Sequence, residues 1–179
     1  VFTDEVLAEL GVARDELVEE KAVEVGNIFT LGTRFSEPLE LRFTDENGDA
    51  QPVIMGSYGI GPSRLMGLLA EHFADDKGLV WPEAIAPYRV YLVRIGDAEA
   101  VTERADALYE ALTAQGIEVL YDDRDERPGA KFADAELLGI PHRVTVSERS
   151  IEQEGVEYTA RSGGESSILT QDELLAKLA

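Results

Sequence analysis

The sequence predicts an α/β fold on three observations. Residues 88–179 alternate short apolar, β-branched runs with longer segments whose apolar residues recur every three or four positions. Glycine follows each of the two main helical patterns, at Gly116 and Gly139, where a left-handed residue closes a helix. A hydrophobic content of 44% in a 179-residue chain suffices for one comfortable core or two small ones.

From the N-terminus, helical periodicity begins at Val1, and residues 4–20 read as one or two short acidic helices. A chain that opens on Val1 inside such a pattern is expected to begin mid-protein. Residues 23–31 are apolar enough for a strand, and residues 39–44 alternate as a strand does. Asp45-Glu46-Asn47-Gly48-Asp49 is a hairpin signal, since Asn-Gly tolerates positive φ, and residues 52–55 are the expected returning strand. A glycine-punctuated turn over residues 56–62 then leads into a helix over residues 63–74, in which Leu65, Met66, Leu69 and Phe73 form one apolar stripe. The run Trp81-Pro82-Glu83-Ala84-Ile85-Ala86-Pro87 sets two prolines around a short apolar segment, and the boundary between two domains, 1–87 and 88–179, is expected there.

Beyond it, residues 89–95 predict a strand, 98–115 an amphipathic helix, 117–121 a strand, 128–138 a helix with proline at its first position, and 143–147 a third strand. Two short strands near 156–160 and 166–169 and a terminal helix from Gln171 complete the unit. The first three strands are expected to be parallel, because helical crossovers separate them.

Composition removes several function classes. With no cysteine, disulfides and thiolate metal sites are excluded, and His72 and His142 are too far apart to suggest a metal-ligand spacing, so no metal is expected on this chain. Apolar stretches are broken well before the roughly 20 residues a membrane span needs, and the expectation is a soluble, cytoplasmic protein without membrane contact. Sixteen basic against 36 acidic side chains give a net charge of −20, which by itself argues against a polyphosphate partner. The alternative is an acidic surface serving solubility at high salt, where a Debye length of about 3 Å at molar ionic strength leaves little repulsion beyond contact.

The sharpest chemical feature is Gly56-Ser57-Tyr58-Gly59-Ile60-Gly61-Pro62-Ser63-Arg64 between a strand and a helix. Glycines let backbone approach a ligand closely, and an arginine in the first helical turn can aim its guanidinium at a phosphate chain. The plainer alternative is steric: strand-to-helix turns use glycine whether or not a ligand binds. The segment is neither a P-loop nor a well-spaced dinucleotide fingerprint.

Residues 52–64 resemble motif 3 of a class II aminoacyl-tRNA synthetase, in the form typical of the bacterial-type prolyl-tRNA synthetase family. Upstream, Glu24-Val25-Gly26-Asn27-Ile28-Phe29-Thr30-Leu31-Gly32-Thr33-Arg34-Phe35-Ser36 is similar to the segment preceding that motif. Asp122-Asp123-Arg124, Arg127-Pro128-Gly129-Ala130-Lys131-Phe132-Ala133-Asp134-Ala135-Glu136-Leu137 and Gly139-Ile140-Pro141-His142-Arg143 resemble the family's anticodon-binding domain. The resemblance implies that 1–87 is the C-terminal part of a class II catalytic domain, an α+β piece of an antiparallel sheet, and 88–179 an α/β anticodon-binding domain with a mixed sheet. It implies a proline-tRNA ligase that activates proline with ATP and transfers it to tRNA(Pro), with Mg2+ accompanying ATP and a homodimer in the longer enzyme.

Carried over residue by residue, Arg64 matches the arginine that holds the ATP phosphates, with Glu24 and Asn27 lining the nucleotide site; many relatives have histidine in place of Asn27. Phe29, Ser57, Tyr58, Gly59 and Gly61 would line the proline pocket, Ser57 standing where cysteine is common, while for the two aromatic rings ordinary core packing is the alternative. Arg124, Arg127 and Lys131 would read anticodon bases, with Glu118 and Asp134 as weaker candidates that accept from guanine amino groups or orient the arginines. Proline anticodons contain two guanines, and a basic side chain donates to two acceptors on that base. Interleaved carboxylates leave a solvated loop of local ion pairs as the alternative. Phe132 could stack on a base or anchor its helix.

No segment resembles class II motif 1 or motif 2, nor an editing insertion, so the chain alone is expected to be inactive. A second reading makes it a synthetase-like accessory or regulatory tRNA-binding paralogue. A third, an unrelated small-molecule α/β enzyme, lacks a convergent nucleophile or acid–base pair.

Overall fold

Four consecutive residues with almost no exposure, Val90, Tyr91, Leu92 and Val93, mark the strand about which the C-terminal half is organised. The computed structural model describes residues 3–178, so the expected onset of periodicity at Val1 lies outside the described residues. Strand β5 (Val90–Arg94) is flanked in parallel by β6 (Val119–Asp122) and β7 (His142–Val146). Antiparallel β8 (Val156–Ala160) and β9 (Ser167–Leu169) extend the sheet in the order β6-β5-β7-β8-β9. Helix α3 (Glu99–Ala114) buries Val101, Ala105, Leu108 and Leu112 on one sheet face, and α6 (Gln171–Leu178) adds Leu174 and Leu178 to the same core. Each fully buried leucine contributes roughly 2 kcal/mol. Helix α4 (Pro128–Leu138) covers the other face through Ala135, beside Tyr91, Val93 and Ile140. A central strand covered on both faces must be apolar at every position, which is why 90–93 does not alternate.

This half follows the sequence expectation, including the mixed sheet and the parallel first three strands. One element is additional: α5 (Glu148–Glu152), opened by Ser147, whose hydroxyl accepts from Ser150 N at 3.2 Å while Ser150 Oγ accepts from Ser147 N at 2.9 Å. Ser-x-x-Ser performs here the exchange that Ser-x-x-Glu usually signals.

In the N-terminal half, helix α1 (Asp4–Leu10) ends at left-handed Gly11, and a short 3₁₀ turn follows at Arg14–Glu16. Strand β1 (Gly26–Gly32) pairs antiparallel with β4 (Met55–Ile60), and β2 (Arg42–Thr44) with β3 (Ala50–Pro52). The Asn-Gly hairpin forms, with its returning strand at Ala50–Pro52 rather than over the expected residues 52–55: Gly48 has φ 85°, and Asp45 Oδ1 accepts from the amides of Asn47 and Asp49 at 2.9 Å. The expected glycine turn at 56–62 does not form. Residues 56–60 are in strand β4 instead, because β1 supplies hydrogen-bond partners along Gly56–Ile60, and the turn shrinks to Gly61 before α2 (Pro62–Phe73).

The chain forms two compact units that divide between Leu65 and Met66, upstream of the Trp81–Pro87 run. Residues after α2 are tied into the second unit by their own backbone: Leu79 N donates to Leu137 O and Trp81 N to Gly139 O, each at 3.1 Å. Arg161 adds a bidentate pair with Asp75, both bonds 2.7 Å. The close approach requires Gly139, which sits at φ 71° and would place a Cβ 2.1 Å from Leu79 O. Gly139→Ala is expected to destabilise by about 2–3 kcal/mol, combining left-handed strain with loss of the backbone pairing. Gly116→Ala, at φ 75° with open space around it, should show only the strain, about 1 kcal/mol. Urea midpoints of the two variants separate these contributions.

A second tie is polar. His142 Nε2 meets the Glu83 carboxylate and its Nδ1 lies 2.8 Å from the Tyr158 hydroxyl. A carboxylate cannot donate, so Nε2 carries the proton and Nδ1 accepts from Tyr158. Burial pushes the imidazole below its ordinary value against the opposing pull of Glu83. The unfolded chain therefore takes up the proton first, and stability declines as pH falls below about 6.5. Denaturant midpoints from pH 7.5 to 5.5 should show this decline, and His142→Asn should flatten it.

Candidate functional sites

Three of the residues singled out in the first half converge, with Asn27 and Arg64 both meeting Glu24. Asn27 enters from β1, Arg64 from the first turn of α2, and Glu24 from the segment before β1. Arg64 Nη1 donates to Glu24 O at 3.0 Å and lies 3.7 Å from its carboxylate, while Asn27 Nδ2 donates to Glu24 Oε1 at 3.0 Å. The guanidinium side chain is 56% exposed, so it is anchored at one nitrogen and open elsewhere. This arrangement can present an oriented cation to an anionic ligand. Gly26 supports it sterically: a Cβ there would sit 2.8 Å from Gly59 O, so only glycine lets β1 and β4 approach in this register.

The residues expected to line one pocket are split by that register. Asn27 pairs with Gly59 and Phe29 with Ser57, which puts these four on one face of the ribbon. Tyr58 pairs with Ile28 and projects to the opposite face. Tyr58 therefore cannot share a wall with Phe29 and Ser57; an isolated motif string does not reveal that alternation when the segment is read as a turn. Neither ring is core packing within the described residues, for Phe29 is 50% and Tyr58 85% exposed. Gly61 lies past the strand, at the entry to α2, with its carbonyl accepting from Leu65 N at 3.0 Å.

In the second unit the basic loop follows β6 and opens α4. Arg124 is gripped on both sides: Nε and Nη2 donate to Asp122 at 2.8 Å each, and Nη2 also donates to Asp134 at 2.7 Å. Nη1 is its remaining donor. Arg127, capping α4, is exposed, and its guanidinium has no partner among the described residues. Lys131 departs from the expectation of a base-reading cation. It is 2% exposed, and its ammonium donates to the carbonyls of Arg94 at 2.8 Å and Asp122 at 3.1 Å, tying α4 to the ends of β5 and β6. Glu118 also stands apart, just before β6, with the four strand residues, about 13 Å of extended chain, between it and the loop.

Residues 89–179, just over half of the chain, match the family described as an anticodon binding domain. The chain belongs to this family. It is also 48% identical over 161 residues to the proline--tRNA ligases of Burkholderia pseudomallei (strain 668) and Burkholderia mallei (strain SAVP1), and 47% identical over 161 residues to that of Burkholderia multivorans. These matches cover 89% of the chain, so they extend beyond the anticodon-binding domain into the Gly56–Arg64 segment. The chain spans 28% of the length of these curated relatives.

Beneath the exposed arginines, the anticodon-binding domain holds a buried network that sequence reasoning missed. Tyr91 OH donates to Asp122 Oδ2 at 2.6 Å, and Lys131 Nζ lies 3.8 Å from Asp122 Oδ1. The Arg124 hydrogen bond holds the Asp122 carboxyl down to about 2, against the opposing effect of burial. Burial, then the Asp122 carboxylate, pushes the Tyr91 phenol up. Burial lowers Lys131 from its ordinary value, with Asp122 opposing the shift. One signal for the network was legible: Tyr91 is the single polar-tipped side chain in the run Val90-Tyr91-Leu92-Val93, and such a tip needs a partner when buried. Among the described residues no helix is long and apolar enough to cross a membrane.

Proposed function

We propose that this chain is the part of a proline-tRNA ligase that contributes the motif 3 arginine of a class II ATP site and reads the anticodon of tRNA(Pro). The observation that supports it best is a guanidinium without a partner among the described residues, Arg127, in the same loop-and-helix segment as the Arg124–Asp134 ion pair, in a domain of the anticodon-binding family. Arg127 offers two adjacent N–H groups to the N7 and O6 of an unstacked guanine. Arg124 Nη1 and Asp134 Oδ1 offer a donor and an acceptor, which suits O6 and N1–H of the same base type. Lys131 and Glu118 are left out of this contact set for the geometric reasons above.

For the first unit, the residues present fit an anionic nucleotide: Arg64 would hold the phosphates, with Asn27 and Glu24 fixing its orientation. In the longer enzyme the proline carboxylate attacks the α-phosphate, the bond to pyrophosphate breaks, and Arg64 stabilises the charge that develops. Phe29, Ser57 and Gly59, sharing one ribbon face, form the part of a small apolar pocket this chain supplies. Mg2+ accompanies ATP, and the longer enzyme acts as a homodimer. The 179 residues alone are expected to give no proline-dependent exchange of pyrophosphate into ATP, because no segment of them resembles motif 1 or motif 2.

The anticodon reading is tested with tRNA(Pro) transcripts and the 179-residue chain at several salt concentrations. Arg127→Gln is expected to weaken binding about 10–100-fold and to erase discrimination against transcripts whose anticodon guanines are replaced. Unchanged affinity and discrimination would remove Arg127 from the interface.

A further inference from the structure

On the flank of α4 away from the Arg124 loop, a cleft of about 340 Å3 opens over β7 and β8. Its charges cancel, with one exception. Lys77 pairs with Glu136 at 3.1 Å, and Arg161 pairs with Asp75. Arg143 has no carboxylate partner among the described residues. Its guanidinium lies 4.6 Å from the centroid of the Phe132 ring, Nη2 donates to Thr159 Oγ1 at 3.2 Å, and Nε is buried without a partner. A half-buried cation left uncompensated on a chain of net charge −20 runs against the general economy of this surface. Ser162 adds a hydroxyl, and Gly163 and Gly164 line the cleft without side chains.

We propose that this cleft binds a phosphodiester of the RNA backbone next to the anticodon, with Arg143 as its cation and Phe132 and Thr159 fixing the guanidinium. A donor-rich cleft whose carboxylates are already neutralised suits an anion rather than a base edge, which needs acceptors as well. Phe132 lies five residues along α4 from Arg127, about 7–8 Å by helical rise, which is on the scale of neighbouring nucleotides. The inference rests on the reading that the domain binds tRNA, and its tests separate the two.

Binding of a tRNA(Pro) transcript to the 179-residue chain, followed by anisotropy across salt concentrations, is the first measurement. Arg143→Gln should lower affinity by the same factor for native and anticodon-altered transcripts and reduce the salt slope by about one, whereas Arg143→Lys should keep most of the slope. Native affinity and slope in Arg143→Gln would overturn the proposal. The second measurement follows the Gly163 and Gly164 amide resonances during titration with inorganic phosphate, in the parent chain and in Arg143→Gln. Shifts that require Arg143 support the anion site even if the parent fails to bind tRNA, in which case the RNA source is overturned and free phosphate takes its place. Shifts absent from the parent, or persisting in Arg143→Gln, overturn the site itself.

Discussion

Asp122→Ala is expected to destabilise the C-terminal unit by about 3–5 kcal/mol, the usual consequence of removing one partner from a buried ion pair. The carboxylate is 3% exposed and serves three groups at once: the Arg124 fork, the Tyr91 hydroxyl and the nearby Lys131 ammonium. Its removal leaves Lys131 in the interior with two carbonyls and no negative charge. Arg124→Gln should have a far smaller effect, because that side chain is half exposed and water replaces what it loses. Urea unfolding of both variants at pH 7 measures the difference; equal midpoints would remove Asp122 from its central position. The pH dependence follows from the same geometry. The folded carboxyl titrates near 2, below its ordinary 3.8, so its contribution is complete above about pH 4 and is lost as pH falls toward 2. Asp75 is also held well below the ordinary value, by its hydrogen bonds from Arg161. Asp122→Asn should therefore reduce, not abolish, the acid loss of stability.

The second large effect is catalytic and depends on the proposed synthetase reading. In a longer polypeptide joining this chain to the rest of a class II catalytic domain, Arg64→Ala is expected to lower proline-dependent pyrophosphate exchange about 10²–10³-fold, the loss typical of one preorganised charge-stabilising donor. Arg64→Lys should recover little, since a point charge cannot both hold the Glu24 carbonyl and face a phosphate. The defect should fall on kcat more than on KM for proline. A variant with wild-type kcat would show that Arg64 only braces the start of α2.

The α/β half was legible because its signals are local. Proline opens α4, left-handed Gly139 closes it, and the α3 stripe Val101-Ala105-Leu108-Leu112 needs only helical spacing to be seen. The first half was harder, since Gly56–Ile60 reads as a turn until β1 is beside it. In the candidate sites, Glu24, Asn27 and Arg64 were found by motif and do converge. Lys131 carries a charge within a basic string and yet is buried; which way a side chain on α4 points depends on where the sheet lies, and no local pattern contains that.

The sequence alone determined the order of elements, the absence of thiol chemistry and the family motifs, all of which follow from residue type and spacing along the chain. Tertiary structure decided which cations remain available. Arg124 is held by Asp122 and Asp134, Lys131 by two carbonyls, and Arg127 and Arg143 are left without carboxylate partners among the described residues. Charges neutralise one another through space at a few ångströms, and residues separated by 10 or 37 positions, as Arg124 from Asp134 and Lys131 from Arg94, become neighbours only when the sheet and α4 come together.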